Sequence, residues 1–198
     1  PICLMAPSTG NWCPHCLHED REHGRPPYFR LAWDVKLVNA CERHGTQLVC
    51  VCPDCGKTGV RHKAAYVIPG WCTQCGAFLG SSRPSLNASP EALWIAQQVG
   101  KLLCAQTLLK ASPVLASVQQ TLTTLVIRMD QGNGAAFGSR VGVAKSTVHC
   151  CIHGKTALTL EPALRIAAAT GLSLDKLLTA DLEGWVQPTD LCQLDLDL

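Results

Sequence analysis

Cysteine and histidine recur in the first 75 residues as four pairs of equal internal spacing: Cys13 and Cys16, Cys41 and His44, Cys52 and Cys55, Cys72 and Cys75. Two residues between donors is the bite that lets a tight backbone turn present both to one tetrahedral Zn²⁺. Four bites make two structural sites. In chain order these are Cys13, Cys16, Cys41 and His44, then Cys52, Cys55, Cys72 and Cys75. Spacing alone leaves open an interleaved partition, with the first and third pairs on one ion. The 16 residues between Cys55 and Cys72 suit two knuckles joined by a hairpin or short loop, so the second set reads as an all-thiolate zinc ribbon. The thiolate pairs also carry turn signals, CPHC, CPDCG and CTQCG. Pro fixes φ inside a knuckle, and Gly permits positive φ just after it.

The same cysteines argue against other chemistry. Their number, 13, is odd, and no secretory leader pattern precedes them, which favours a reducing compartment over a disulfide framework. A thioredoxin-like CxxC comes singly within a βαβ pattern, and that pattern is absent. Cys3, Cys50, Cys104, Cys150, Cys151 and Cys192 read as small buried or half-buried apolar residues. Cys50 competes with Cys52, which is preferred for its CPDC spacing. His15, His18 and His23 read as solvated loop residues.

These ligands need a scaffold. The first part of the chain has few large apolar residues and many turn formers, so metal must substitute for a core, with structural zinc contributing on the order of 10 to 16 kcal/mol. Residues 1–80 are expected to form a small zinc-ribbon module of two zinc sites, short β-hairpins and loops. The Ser- and Pro-rich stretch 81–90 reads as a linker. An all-α domain follows over about 91–182, and 183–198, ending in DLCQLDLDL, reads as a flexible tail. The chain starts at Pro1 rather than Met, so it reads as a processed protein or an excerpt. With 47% apolar residues, its apolar stretches are too broken to span a bilayer.

Within the helical part, Ser89, Pro90 and Glu91 form a helix start, and a helix is expected over about 90–109. Ser112 and Pro113 repeat the signal. The next helix places Val114, Leu115, Val118, Leu122, Leu125, Val126 and Met129 on one apolar face, read as bundle core, and ends at the breaker run 130–134. Residues 134–155 then fit a helix-turn-helix with Gly142 at the turn. Phe137 and Val141 face inward from its first helix, Val143 lies at the turn, and Val148, Cys151 and Ile152 face inward from its second. Gly138 sits where a small residue lets the helices approach. The candidate nucleic-acid contacts are Arg140, Lys145, Ser146, Thr147, His149 and Lys155, with Cys150 and His153 also outward. A helix over about 160–170, ended by Gly171, and a short one from Ser173 complete the unit.

Charge weighs against a strong DNA reader. Lys and Arg exceed Asp and Glu by 2 over residues 1–80 and by 2 over 81–130, whereas 131–198 carries −2. A DNA reader is usually basic over its whole domain, because phosphate neutralisation supplies most non-specific affinity.

The order CPHCL, YFRLAW, CERHGTQLVCVCPDCG and WCTQCG, followed by a helix-turn-helix, resembles the TniQ/TnsD family of target-selection proteins of bacterial cut-and-paste transposons, including CRISPR-associated ones. The resemblance implies zinc on the same two sets of four ligands, with Arg30 and Trp33 in an RLxW segment and Trp33 packed beside the first site. It implies a bacterial cytoplasmic protein, nucleoid-associated when acting on DNA. Such a protein recognises target DNA, or a CRISPR effector complex with its guide RNA, and recruits a AAA+ ATPase transposition regulator. Family members carry a segment ahead of the first knuckle, where only 12 residues precede Cys13 here.

No catalytic role is expected. There is no GxxxxGK[ST] loop, no HExxH, and no spaced carboxylate set beside a basic region, and four-ligand zinc sites leave no open position for substrate. The alternative from another class is a free-standing zinc-ribbon and helix-turn-helix transcription regulator that binds an operator as a dimer.

Overall fold

The computed structural model describes residues 10–60, 68–105 and 114–189. It divides into two compact units, one spanning Met5–Gly100 and one beginning at Lys101.

The first unit is held together by turns. Helix α1 (Pro14–Glu22) starts directly at the first ligand pair, with Cys13 at its N-cap and Pro14 in the first turn. Pro is favoured there because its missing N–H would have no helical partner. The CPHC pair is therefore a helix start and not a turn-shaped knuckle, and His15 and His18 lie on a helix rather than a loop. A 3₁₀ turn, Leu31–Asp34, carries Trp33.

Three knuckles repeat one backbone design. In each, the first cysteine's N–H donates to the carbonyl five residues on, and a Gly N–H donates back to that cysteine's carbonyl. The bonds are Cys41 to Thr46 (2.8 Å) with Gly45 to Cys41 (2.8 Å), Cys52 to Lys57 (2.9 Å) with Gly56 to Cys52 (3.0 Å), and Cys72 to Ala77 (2.8 Å) with Gly76 to Cys72 (2.9 Å). Gly45, Gly56 and Gly76 take φ of 65°, 67° and 75°, the left-handed region open to glycine without strain. A single antiparallel bridge closes each hairpin: Ala40 to Gln47, Val51 to Thr58, and Trp71 to Phe78. The expected β-hairpins thus reduce to one bridge apiece. Trp12, Leu17, Trp33, Val60 and Leu79 form one buried cluster with Cys13, Cys16, Cys41, Cys52 and Cys72, so five of the eight candidate donors are themselves core residues. The Trp12 indole N–H donates to the Leu79 carbonyl at 3.2 Å.

Helix α2 (Pro90–Ala105) begins where Ser89 Oγ accepts the Ala92 N–H at 3.1 Å, and the boundary between the units falls within it. The expected end of this helix and the Ser112–Pro113 start lie outside the described residues, as do Cys3, Cys192 and most of the DLCQLDLDL tail.

The second unit packs α3 (Leu115–Asp130), α4 (Gly134–Val141), α5 (Lys145–Ile152), α6 (Leu160–Thr170) and α7 (Leu174–Thr179). The apolar face of α3 buries Val118, Leu122, Leu125, Val126 and Met129, but Val114 precedes the helix and is exposed. Thr121 joins that face because its hydroxyl donates to the Ser117 carbonyl at 3.0 Å. Asn133 caps α4, its side-chain oxygen accepting the Ala135 and Ala136 N–H groups. Gly142, at φ 68°, ends it. A β-carbon on Gly138 would lie 2.6 Å from the Val143 carbonyl oxygen, so only glycine lets α4 pass this close to the turn. Phe137, Val141, Val148 and Cys151 are buried between the helices, while Ile152 is half-buried. Gly171 ends α6 at φ 68°, and Ser173 precedes α7. Beyond α7, the Trp185 indole N–H donates to the Thr170 carbonyl at 2.8 Å, which ties down part of the stretch read as tail.

Candidate metal centres and nucleic-acid interface

In the first cluster α1 supplies Cys13 and Cys16, and the 41–46 knuckle supplies Cys41 and His44. His44 Nδ1 lies 3.5, 3.4 and 3.5 Å from the Sγ atoms of Cys13, Cys16 and Cys41, and Cys16 and Cys41 sulfurs are 3.6 Å apart. In the second cluster two knuckles face each other, with Cys52 Sγ 3.7 Å from Cys75 and Cys55 Sγ 3.8 Å from Cys72. All four donor atoms in each group lie within 4.8 Å of one another.

These distances discriminate between chemistries. Disulfide sulfurs sit about 2.05 Å apart, far closer than any pair here. A tetrahedron with Zn–S of about 2.3 Å and Zn–N of about 2.0 Å spaces its sulfurs by about 3.8 Å, and sulfur from nitrogen by about 3.5 Å. The separations given above agree with that tetrahedron, and each set of four donors could hold a metal ion. The grouping follows chain order and not the interleaved alternative. Cys50 stands apart as a half-buried free thiol.

The protonation pattern points the same way. Hydrogen bonds from Cys16 and Cys41 hold Cys13 down to about 3, whereas the same crowding, from Cys13 first, pushes Cys16 far up. The donors thus share a negative charge that only a cation lets them all carry. In the second cluster burial raises Cys52. For Cys72 burial also pushes upward, but the Gln74 and Cys75 amides outweigh it and bring the thiol to about 7. Cys75 is pulled down by the Ala77 amide, yet burial and its three thiol neighbours push it up to about 12.

Sequence reading placed Trp33 beside the first cluster but missed the carboxylates that support it, Glu19 and Asp20. Glu19 lies on α1 beyond Cys16, and its Oε1 accepts the His44 Nε2–H at 2.8 Å while Arg43 holds Oε2 at 2.8 Å. The bond to His44 comes first in pulling the Glu19 carboxyl below its usual range. A neutral His44 that donates from Nε2 presents its Nδ1 lone pair to the centre of the cluster, the arrangement that fixes tautomer and ring orientation in metal-bound histidine. Asp20, on the other side of α1, is buried and paired with Arg30 at 2.7 Å. Arg30 in turn lies over the Trp33 ring at 5.0 Å. The RLxW residues thereby lock the 3₁₀ turn to α1 and place Trp33 in the same core as Cys16 and Cys41. Replacing Glu19 with Gln should lower the zinc affinity of this cluster by about 10 to 100-fold and leave the other unchanged. Competition with a chromogenic chelator, resolving one weakened zinc from one normal zinc, checks it.

On the second unit, Lys145, Ser146, His149 and Lys155 are exposed, and Thr147 is half-buried. The His149 and His153 rings lie one turn apart with centroids at 4.3 Å and planes tilted by 57°, and Cys150 is half-buried. Lys145, His149 and His153 line a groove with Asn133 and Gly134. Arg140 differs from the other candidates: its guanidinium clamps the Asp130 carboxylate at 2.7 to 3.1 Å, so its charge is spent within the fold. That pairing also changes the charge argument. From 114 to 160 the only acidic residue is Asp130, and all seven acids of 131–198 lie at or beyond Glu161. The surface built from α3 to α5 is therefore basic, and the acidity of the last third belongs to other segments.

The TniQ family model matches residues 5–48, a stretch containing all four donors of the first cluster together with Glu19, Arg30 and Trp33. The likeness to the TniQ family is confined to that stretch, under a quarter of the chain. Comparison with curated proteins gives no match. No helix among the described residues is long and apolar enough to cross a membrane.

Proposed function

We propose that this chain is a non-catalytic target-selection factor of DNA transposition, whose metal-organised TniQ unit engages a AAA+ ATPase regulator while a helix-turn-helix, α4 and α5, contacts nucleic acid. The observation that carries the reading is the TniQ match over the complete first cluster, its outer support included. Both clusters are assigned to structural Zn²⁺. Four protein donors close each site, so zinc shapes the surface rather than activating water.

The contribution of α5 follows from charge and exposure. Its outward face carries Lys145, Ser146 and His149, Lys155 follows just beyond, and no carboxylate lies between Gln131 and Leu160. In a helix-turn-helix the start of the second helix meets base edges, which gives Ser146 and Thr147 the reading positions and Lys145 and Lys155 the phosphates. The target is duplex DNA or the nucleic acid held by a guide-RNA effector.

Reversing both lysines, Lys145→Glu with Lys155→Glu, should weaken duplex binding by on the order of 100-fold and lower the slope of log affinity against log salt by about 2. Fluorescence anisotropy across a salt series measures this, with zinc content expected to stay at two per chain. An unchanged slope removes α5 from the nucleic-acid interface. Co-purification of the full chain with a transposon AAA+ regulator tests the recruitment half, and failure to associate in the presence of ATP and DNA argues against it.

A further inference from the structure

The two clusters share a ligand design but not an environment. In the first, Cys13, Cys16 and Cys41 are all buried, and His44 is braced by Glu19 and Arg43. In the second, Cys52 and Cys72 are buried, but Cys55 is half-buried and Cys75 is exposed. The Cys75 sulfur also has a buried neighbour within easy reach, Cys52 Sγ at 3.7 Å. Besides Cys75, only Cys104 is an exposed thiol among the described residues, and Cys104 belongs to neither cluster.

From this asymmetry we infer that Cys75 is a site of oxidative modification, at which hydrogen peroxide converts the second cluster from a zinc site into a Cys52–Cys75 disulfide while the first cluster keeps its metal. Zinc binding holds all four donors as thiolates, the nucleophilic form of cysteine. The Cys75 thiolate attacks one peroxide oxygen, so an S–O bond forms, the O–O bond breaks, and hydroxide leaves to be protonated to water. The product is a sulfenic acid, the first rung of thiol oxidation. The Cys52 thiolate then attacks the Cys75 sulfur, an S–S bond forms, the S–O bond breaks, and a second hydroxide leaves. Two thiolates lose two electrons and one peroxide gains them. Only Cys55 and Cys72 remain as donors, and two thiolates do not retain the ion against a chelator.

The inference rests on zinc occupancy and is independent of any nucleic-acid role. The full 198-residue chain, loaded with two zinc ions, is exposed to graded peroxide with a chromogenic zinc indicator, then alkylated and peptide-mapped. One equivalent of zinc should be released, together with a Cys52–Cys75 disulfide that dithiothreitol and added zinc reverse. Cys104→Ser should release zinc at the unaltered rate. Cys75→His, which keeps a donor but removes the oxidisable one, should retain two zinc ions and release zinc at least 10-fold more slowly. Release of both zinc ions together, a disulfide mapped to the first cluster, or unaltered release from Cys75→His would each overturn the assignment. If Cys75→His fails to bind two zinc ions, the disulfide map of the unaltered chain decides alone.

Discussion

Replacing Cys16 with Ser is expected to empty the first cluster and unfold much of the first unit. Structural zinc contributes on the order of 10 to 16 kcal/mol, as much as the whole stability of an ordinary domain, about 5 to 15 kcal/mol. Cys16 is both a proposed ligand and a core residue, packed with Leu17, Trp33 and Cys41 in the cluster that also contains Cys52 and Cys72. Its loss therefore removes a metal bond and opens the shared interior. Native mass spectrometry should find one zinc per chain in place of two, and a chelator should remove that remaining ion faster than from the unaltered protein. The far-UV helical signal should fall only modestly, since most helical residues lie in the other unit. Retention of two zinc ions would sink the ligand assignment.

The second large effect is expected from Phe137→Ala. Phe137 is fully buried on α4, beside the Gly138 approach to the turn that sets α5. Truncating a buried Phe costs about 3 to 5 kcal/mol through lost transfer energy and the cavity left behind. The local packing cannot collapse freely, because the Gly138 and Val143 backbones are already in contact. Urea unfolding followed by helical signal should show a lower midpoint for the second unit, with zinc stoichiometry untouched. Equal stability would mean that α4 is not part of this core. The pair of outcomes also separates the units: Cys16→Ser acts through metal, Phe137→Ala through packing.

Local chemistry was legible. The eight donors stand out because a two-residue gap is itself the geometry of the bite, and the caps at Ser89, Gly142, Gly171 and Ser173 mark helix limits within one turn of chain. Local signals were also misread where two structures share them. CPHC carries the Pro of a knuckle and equally the first-turn Pro of a helix, and it begins α1. The Cys41–His44 pair, with Gly45 after it, carried the knuckle signal but was not grouped with the turn-bearing pairs.

The sequence by itself therefore determined which residues can hold metal and, to within a turn, where α4 to α7 begin, since both depend on atoms a few residues apart. Only the tertiary structure decided what those residues do together. Glu19 meets His44 across 25 positions, and Arg140 meets Asp130 across 10, pairings for which spacing has no code. The first makes one cluster braced, and the second removes a cation from the candidate interface while silencing its only acid. Burial likewise separates a sealed Cys16 from an exposed Cys75, although both belong to C-x-x-C pairs, because exposure is set by what packs against a turn and not by the turn itself.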